Sequence, residues 1–297
     1  VLTKDNSIMS KLAIGMKKLF IIMMMLLPIL VNAKPKAYVR WCTFNIRYNN
    51  PADSAAGHGW DVRKSRVAQY ILDNDLDIIG MQEVQHGQLT DLQNSLKDYE
   101  YIGVGRTDGK TEGEYACIFY KKGNYEVLDQ GNFWLSETPD VPGSKGWDAA
   151  IERIATWGKF RDKKTGKIFM AVNTHFDHVG IEARKQSALL IIDKIKEIVG
   201  KRPAVVTGDF NITDKNEAYK TMVTNKFVLK DAYKISPSHG GVAYSCNGFG
   251  KTSQNKRQKI DFIFVTPQIE VIRTVTPMDV ESHIISDHNP HWADLEF

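Results

Sequence analysis

Short apolar runs separated by turn residues recur from Tyr38 to Phe297, and their spacing confines the chain to an architecture of mixed sheets. Tyr38–Ile46 and Asp77–Val84 read as strands. Val67, Tyr70 and Ile71 fall at helical spacing and put a helix over Arg63–Asn74 between them. A second helix follows over Gly87–Lys97. Tyr115–Tyr120 and Tyr125–Leu135 read as strands joined in a hairpin by the turn Lys121-Lys122-Gly123-Asn124. A further hairpin runs from Ala155–Phe160 through Lys163-Lys164-Thr165-Gly166 to Ile168–His175. The long amphipathic stretch Ile181–Val199 stops at Gly200, with Pro203 beyond it. Strand Ala204–Asp209, a short helix near Asn216–Thr224, and strands Lys259–Thr266, Glu270–Thr276 and His291–Phe297 complete the series. Hairpins exclude a purely parallel, doubly wound sheet. With no polar linker and no repeat, residues 34–297 are expected to form one α/β domain of mixed sheets covered by helices.

The first 33 residues differ in kind. Met16-Lys17-Lys18 is followed by the apolar run Leu19 to Val31 and the small-residue exit Asn32-Ala33. That is the layout of a secretory signal peptide cleaved after Ala33, and the run is short for a membrane span of about 20 residues. Residues 1–15 read as an extension ahead of a start at Met9 or Met16. The expected mature protein is secreted or periplasmic. The whole chain has 39 basic and 35 acidic residues, of which four and one fall within residues 1–33, leaving 35 and 34. No global field therefore recruits a polyanion. The local basic cluster, Lys251, Lys256, Arg257 and Lys259, is expected to be a solvated loop. Of three cysteines, Cys42 and Cys117 lie in apolar strand-like runs and read as buried thiols.

The functional signal is a set of polar side chains where apolar strands end. Asn45 follows Cys42-Thr43-Phe44, and Glu83 ends Ile78-Ile79-Gly80-Met81-Gln82. His175 and Asp177 end Phe169–Thr174; Asp209 and Asn211 end Ala204–Gly208. Asp261 interrupts Lys259–Val265, and Asp287-His288 precedes the last strand. A single such residue is commonly a turn or a cap, but this many together is how sheet proteins assemble a site. Asp209 and Asn211, two apart, would face one side of an extended chain. Carboxylate and amide oxygens such as those of Glu83 and Asn45 suit a hard divalent cation such as Mg²⁺. Asp261 suits the task of holding a histidine ring in one tautomer for acid–base work.

Six segments occur in the order found in one family: Thr43-Phe44-Asn45-Ile46-Arg47, Gly80-Met81-Gln82-Glu83-Val84, Asn173-Thr174-His175-Phe176-Asp177-His178, Thr207-Gly208-Asp209-Phe210-Asn211, Ile260-Asp261-Phe262-Ile263-Phe264 and Ser286-Asp287-His288-Asn289-Pro290. Over about residues 37–297 the chain resembles the endonuclease/exonuclease/phosphatase, or DNase I-like, superfamily. The resemblance implies a four-layer α/β sandwich of two mixed β-sheets flanked by helices. It implies hydrolysis of a phosphodiester or phosphomonoester by in-line attack of water, with Mg²⁺, or Mn²⁺ in its place, as cofactor. Carried over by position, Glu83 becomes the principal metal ligand, with Asn45 and Asp287 close to the metal. His288 becomes the catalytic histidine, oriented by Asp261. Asp209 and Asn211 position water and phosphate, and His175 meets phosphate oxygens or the leaving group. Whether His288 or Asp209 takes the water's proton stays open.

Arg153, Arg184 and Tyr115 are further candidates for substrate binding, and His58 and Trp60 for the rim of a cleft. The expected partner is a phosphate ester, whether nucleic acid, lipid headgroup or small molecule, with no stable protein partner and a monomeric chain. Near-zero net charge argues against tight nonspecific duplex binding. The competing reading, a phosphate- or metal-binding member that has lost catalysis, conflicts with a full set of core positions.

Overall fold

Burial on both faces requires an apolar strand from edge to edge, and Trp41 to Asn45 and Ile78 to Gln82 are buried at every position. These two segments lie side by side in a computed structural model that describes residues 35–224, 229–278 and 284–297. The signal peptide expected over residues 1–33 lies outside the described residues.

In chain order the strands are β1 (Tyr38–Asn45), β2 (Ile78–Gln82), β3 (Tyr99–Ile102), β4 (Ile118–Lys121), β5 (Tyr125–Trp134), β6 (Ile154–Asp162), β7 (Ile168–His175), β8 (Ala204–Asp209), β9 (Lys230–Asp231), β10 (His239–Gly241), β11 (Asp261–Val265), β12 (Glu270–Thr276) and β13 (His291–Glu296). One sheet is ordered β10-β12-β13-β1-β2-β4-β3 and the other β5-β6-β7-β8-β11-β9. Both are mixed. In the first, β1 runs parallel to β2 and antiparallel to β13. In the second, β7 runs parallel to β8, while β6 and β11 run antiparallel to their neighbours.

Three apolar clusters correspond to three interfaces, and strand alternation deals residues between them. On β1, Trp41 enters the cluster between the sheets, while Cys42 and Phe44 pack outward with Val67, Ile71 and Leu89 of helices Trp60–Asp73 and His86–Ser95. On β7, Phe169 and Ala171 face inward. Met170 and Val172 face outward to Ala188, Ile191 and Ile195 of helix Ile181–Val199. The layers therefore run helix, sheet, sheet, helix, as the resemblance implied. Residues Ala37–Phe297 form one compact unit.

Two sequence expectations need correction. The Lys121–Asn124 turn does not close a hairpin: β4 pairs with β2 and β3, whereas β5 pairs with β6 in the other sheet. A polar turn encodes a reversal of direction, and the partner on its far side is chosen by burial of the strand faces. The basic cluster also divides, since Lys251 and Lys256 are exposed but the Lys259 side chain is only 14% exposed. Its amine lies 3.8 Å from the centroid of the Tyr233 ring. The other hairpin forms as expected from β6 and β7.

A polar pocket where the two sheets meet

The site is built on a buried polar layer that crosses from one sheet to the other. Gln82 Nε2 donates to Asn173 Oδ1 at 2.7 Å and to Thr43 Oγ1 at 3.1 Å. Thr207 Oγ1 donates to the same Asn173 oxygen, and Asn173 Nδ2 reaches the Met81 and Cys117 carbonyls. Such groups are retained in an interior only when hydrogen bonded. Gly80 makes room for them: a Cβ there would stand 2.2 Å from Thr207 Oγ1 and 2.4 Å from Asn173 Oδ1.

One step along the strands the layer becomes the pocket. Asn45 ends β1, and its Nδ2 donates to Glu83 Oε1 at 2.9 Å and to Asp209 Oδ2 at 3.0 Å. Glu83 belongs to the end of the same sheet and Asp209 to the end of β8 in the other. Glu83 Oε2 accepts the Tyr48 N–H. The register sets His175 beside Asp209 across β7–β8 and Asp261 beside Asp209 across β8–β11. His288 Nδ1 donates to Asp261 Oδ2 at 2.8 Å, leaving its Nε2 3.8 Å from Asp209 Oδ2. Asp287 joins from the same turn, with Arg47 Nη1 3.6 Å from it and 3.9 Å from Glu83.

Arg47, Glu83 and Asn211 all have left-handed backbone conformations, with φ of 58°, 62° and 50°. Non-glycine residues seldom adopt that region, and they concentrate at functional sites. Asn211 thus reaches the pocket by a different route from the one expected. The chain is no longer extended there. Its N–H instead turns back to Asp209 Oδ1, and its side chain donates to His175 Nε2 and to the Phe176 carbonyl.

The electrostatics follow from burial and crowding. Desolvation and the Asp261 charge push Asp209 up to about 7, and desolvation with Glu83 nearby raises Asp287. Burial lowers His288, but the Asp261 and Asp209 carboxylates outweigh it and leave the ring well above the usual histidine range. His175 moves the other way: burial first, then Arg153, holds it well below that range and hence neutral. Because an amide nitrogen can only donate, His175 Nε2 is the acceptor and Nδ1 carries the proton.

A divalent cation fits this donor set. Glu83 and Asp209 offer carboxylate oxygens within 4.8 Å of one another, as do Asp209 and Asp261, while the His175 and His288 rings beside them are engaged with Asn211 and Asp261. Crowded carboxylates whose ionisation is opposed by burial are relieved by a cation, and oxygen-rich sets of this kind suit Mg²⁺ or Mn²⁺. Asn45 has its NH₂ turned to the carboxylates and its Oδ1 accepting the Arg47 N–H. It therefore holds the carboxylate pair rather than presenting an oxygen, unlike the ligand role carried over from the family; the amide would have to turn over to ligate.

The cavity, about 370 Å³, also takes in Arg47, Glu114, Arg153 and His178. Of the three candidates for substrate binding, only Arg153 lines it. The Tyr115 hydroxyl donates to the Lys110 carbonyl and its ring stacks on His86, while Arg184 Nη1 donates to the Asp177 carbonyl. Neither residue lines the cavity, and both buttress loops. His58 stacks on Phe249 at 4.4 Å, and Trp60 is buried with Nε1 on Asp91, so neither lines the cavity. Asp177 closes the turn ahead of helix Ile181–Val199: against desolvation, the N–H groups of Gly180 and Val179 hold it down to about 2. Arg47 and His178 were overlooked although both stand within the quoted motifs, two and three residues beyond Asn45 and His175.

Comparison with known proteins agrees with this geometry. Residues 42–288 match the Endonuclease/Exonuclease/phosphatase family. A solved endonuclease/exonuclease/phosphatase from Bacteroides vulgatus is 61% identical, with TM-score 0.86 over 88% of this chain and 99% of that one. A mannosyl-6-phosphatase from Bacteroides thetaiotaomicron is 40% identical, with TM-score 0.83 over 87% of this chain and 100% of that one. Drosophila melanogaster nocturnin is 27% identical over 55% of this chain, which spans only 26% of the nocturnin sequence.

Proposed function

The chain belongs to the endonuclease/exonuclease/phosphatase family, and from that premise we propose that it is a Mg²⁺-dependent phosphoesterase acting outside the cytoplasm. The observation that carries the reading is the Asn45 amide joining Glu83 of one sheet to Asp209 of the other, with the His288–Asp261 pair beside them. That arrangement gathers carboxylates, a cationic ring and amide donors around one small cavity, as displacement at phosphorus requires.

Glu83, with Asp209 and Asp287 nearby, holds the cation, which when bound spreads the charge that builds on the phosphoryl oxygens. Asp261 fixes the His288 ring through Nδ1 and keeps it protonated, so Nε2–H is a donor to an oxygen developing charge. Asp209, held at the strand end by the Asn45 amide on Oδ2 and the Asn211 N–H on Oδ1, accepts the proton of the attacking water. Neutral His175 offers Nδ1–H to the substrate. The family relative named a mannosyl-6-phosphatase supports a phosphate ester of a small molecule among the substrates.

Hydrolysis of p-nitrophenyl phosphate or its bis ester should require Mg²⁺ or Mn²⁺, cease with EDTA, and return when metal is restored. Glu83→Ala should cost about 10³-fold or more in kcat/KM. Metal-independent turnover, or a Glu83→Ala protein as active as wild type, would sink the reading. Export rests on the three-part segment at residues 16–33: protein recovered outside the cytoplasm should begin at Lys34, and an uncleaved, cytoplasmic product counts against it.

A further inference from the structure

Arg153 is 4% exposed and lines the cavity that holds Glu83, Asp209 and His288. Its backbone carbonyl accepts the Leu135 N–H, and its Nη2 donates to His178 Nδ1 at 3.0 Å. Two of its donor nitrogens, Nε and Nη1, have no hydrogen-bond partner. The nearest carboxylate oxygen to Nε, Asp177 Oδ2, stands 3.5 Å away, outside hydrogen-bond geometry, and accepts the Ile151 N–H. The Nδ1–H of neutral His175 is likewise buried and without a partner. A buried donor left unmade is costly, and more so when charged. Arg153 and His175 both line the cavity, so three unpaired donors stand in its wall, where an anionic ligand that drew them inward would pair them, apart from the Asn45-linked carboxylates that suit the cation.

We infer that Arg153, held by His178 and Asp177, receives a terminal oxygen of the substrate phosphate, and that the substrates are phosphomonoesters of small hydrophilic alcohols. This rests on the phosphoesterase reading above. A monoester has three unsubstituted oxygens sharing nearly two charges, enough for the cation side, His175 and Arg153 each to take one. A diester has two such oxygens and a single charge. Its third position is an ester oxygen that accepts weakly and carries a carbon substituent, which would have to enter the wall where Arg153 is buried. A charged guanidinium N–H is a strong donor to a single phosphate oxygen, and a cavity of about 370 Å³ is large enough for a sugar phosphate. In the reaction, water's oxygen bonds to phosphorus, the bond from phosphorus to the ester oxygen breaks, and the alcohol leaves with a proton as orthophosphate forms.

The test compares kcat/KM for p-nitrophenyl phosphate and a hexose phosphate with that for methyl p-nitrophenyl phosphate, on the Mg²⁺-loaded protein. Monoesters should lead by at least about tenfold, and Arg153→Met should lower monoester turnover about 100-fold while lowering diester turnover by a clearly smaller factor. Equal losses on both, or a wild-type preference for the diester, overturns the inference while leaving the phosphoesterase reading intact. No turnover of either ester defeats both. A second measurement needs no variant: orthophosphate should inhibit the wild-type holoenzyme competitively and at least about tenfold more tightly than dimethyl phosphate. Equal inhibition by the two also overturns it.

Discussion

Asn45 illustrates how much of the site is held by one side chain. Its two amide hydrogens are divided between carboxylates that would otherwise repel each other across the sheets. Asn45→Asp replaces that donor with a further negative charge at nearly the same volume. The metal-free variant should lose about 1–3 kcal/mol of stability by denaturant unfolding, and added Mg²⁺ should restore a larger share of it than the same addition gives wild type. A variant as stable as wild type in EDTA would show that the amide bridge contributes nothing. At this scale the strand-end residues were legible because a carboxylate or imidazole closing an apolar run has no packing reason to be there. Glu114 was not, since it sits in a loop, where charged residues are ordinary and no period marks the ones that turn inward.

At the scale of elements, boundaries were clearest where periodicity and a stop signal coincide. Helix Ile181–Val199 begins and ends where its apolar spacing and Gly200 place it. Strand β3, four residues long, carries too little alternation to be read, and the supposed hairpin at Lys121–Asn124 failed because local sequence does not encode which sheet a strand joins. The segment leading into β11 shows a third kind of miss, since Lys259 belongs to a basic run yet its half-buried side chain packs against Tyr233 and near Phe262. Burial pulls its amine down from 10.5 to about 8. Between those values the folded chain binds fewer protons than the unfolded one. The associated stability is therefore fully present above the unfolded value and is lost as pH falls through about 8. The difference in unfolding free energy between wild type and Lys259→Met should accordingly shift in favour of wild type by about 2 kcal/mol from pH 8 to 10. A difference that stays flat over that window would mean the amine is solvated.

For the whole molecule, four layers were anticipated from family resemblance and mixed sheets from strand and turn order alone. What neither supplied is the way the sheets are joined beneath the site through Thr43, Gln82, Asn173 and Thr207. Because Glu83 and Asp209, the residues proposed to hold the cation, come from different sheets, binding of metal should stabilise the fold as a unit. At about a hundred times the dissociation constant, the gain is about 2.7 kcal/mol. Scanning calorimetry should then show a rise of roughly 5–10 °C over the EDTA-treated protein, and little rise for Glu83→Ala. Equal shifts in the two proteins would place the cation elsewhere.

The left-handed residues Arg47, Glu83 and Asn211 bear on how such a chain diversifies. Each is a sharp exit at which a strand stops and the chain changes direction within one residue. Everything upstream of the exit is pinned by sheet registry; downstream, largely exposed stretches such as residues 51–57 and 213–217 come before helices that pack on the sheets. New loops could be grafted beyond these three points without retuning the chemistry beneath them. Changes in what the protein accepts are therefore expected to accumulate as insertions and exchanges past the exits, while the phosphate-handling floor stays constant.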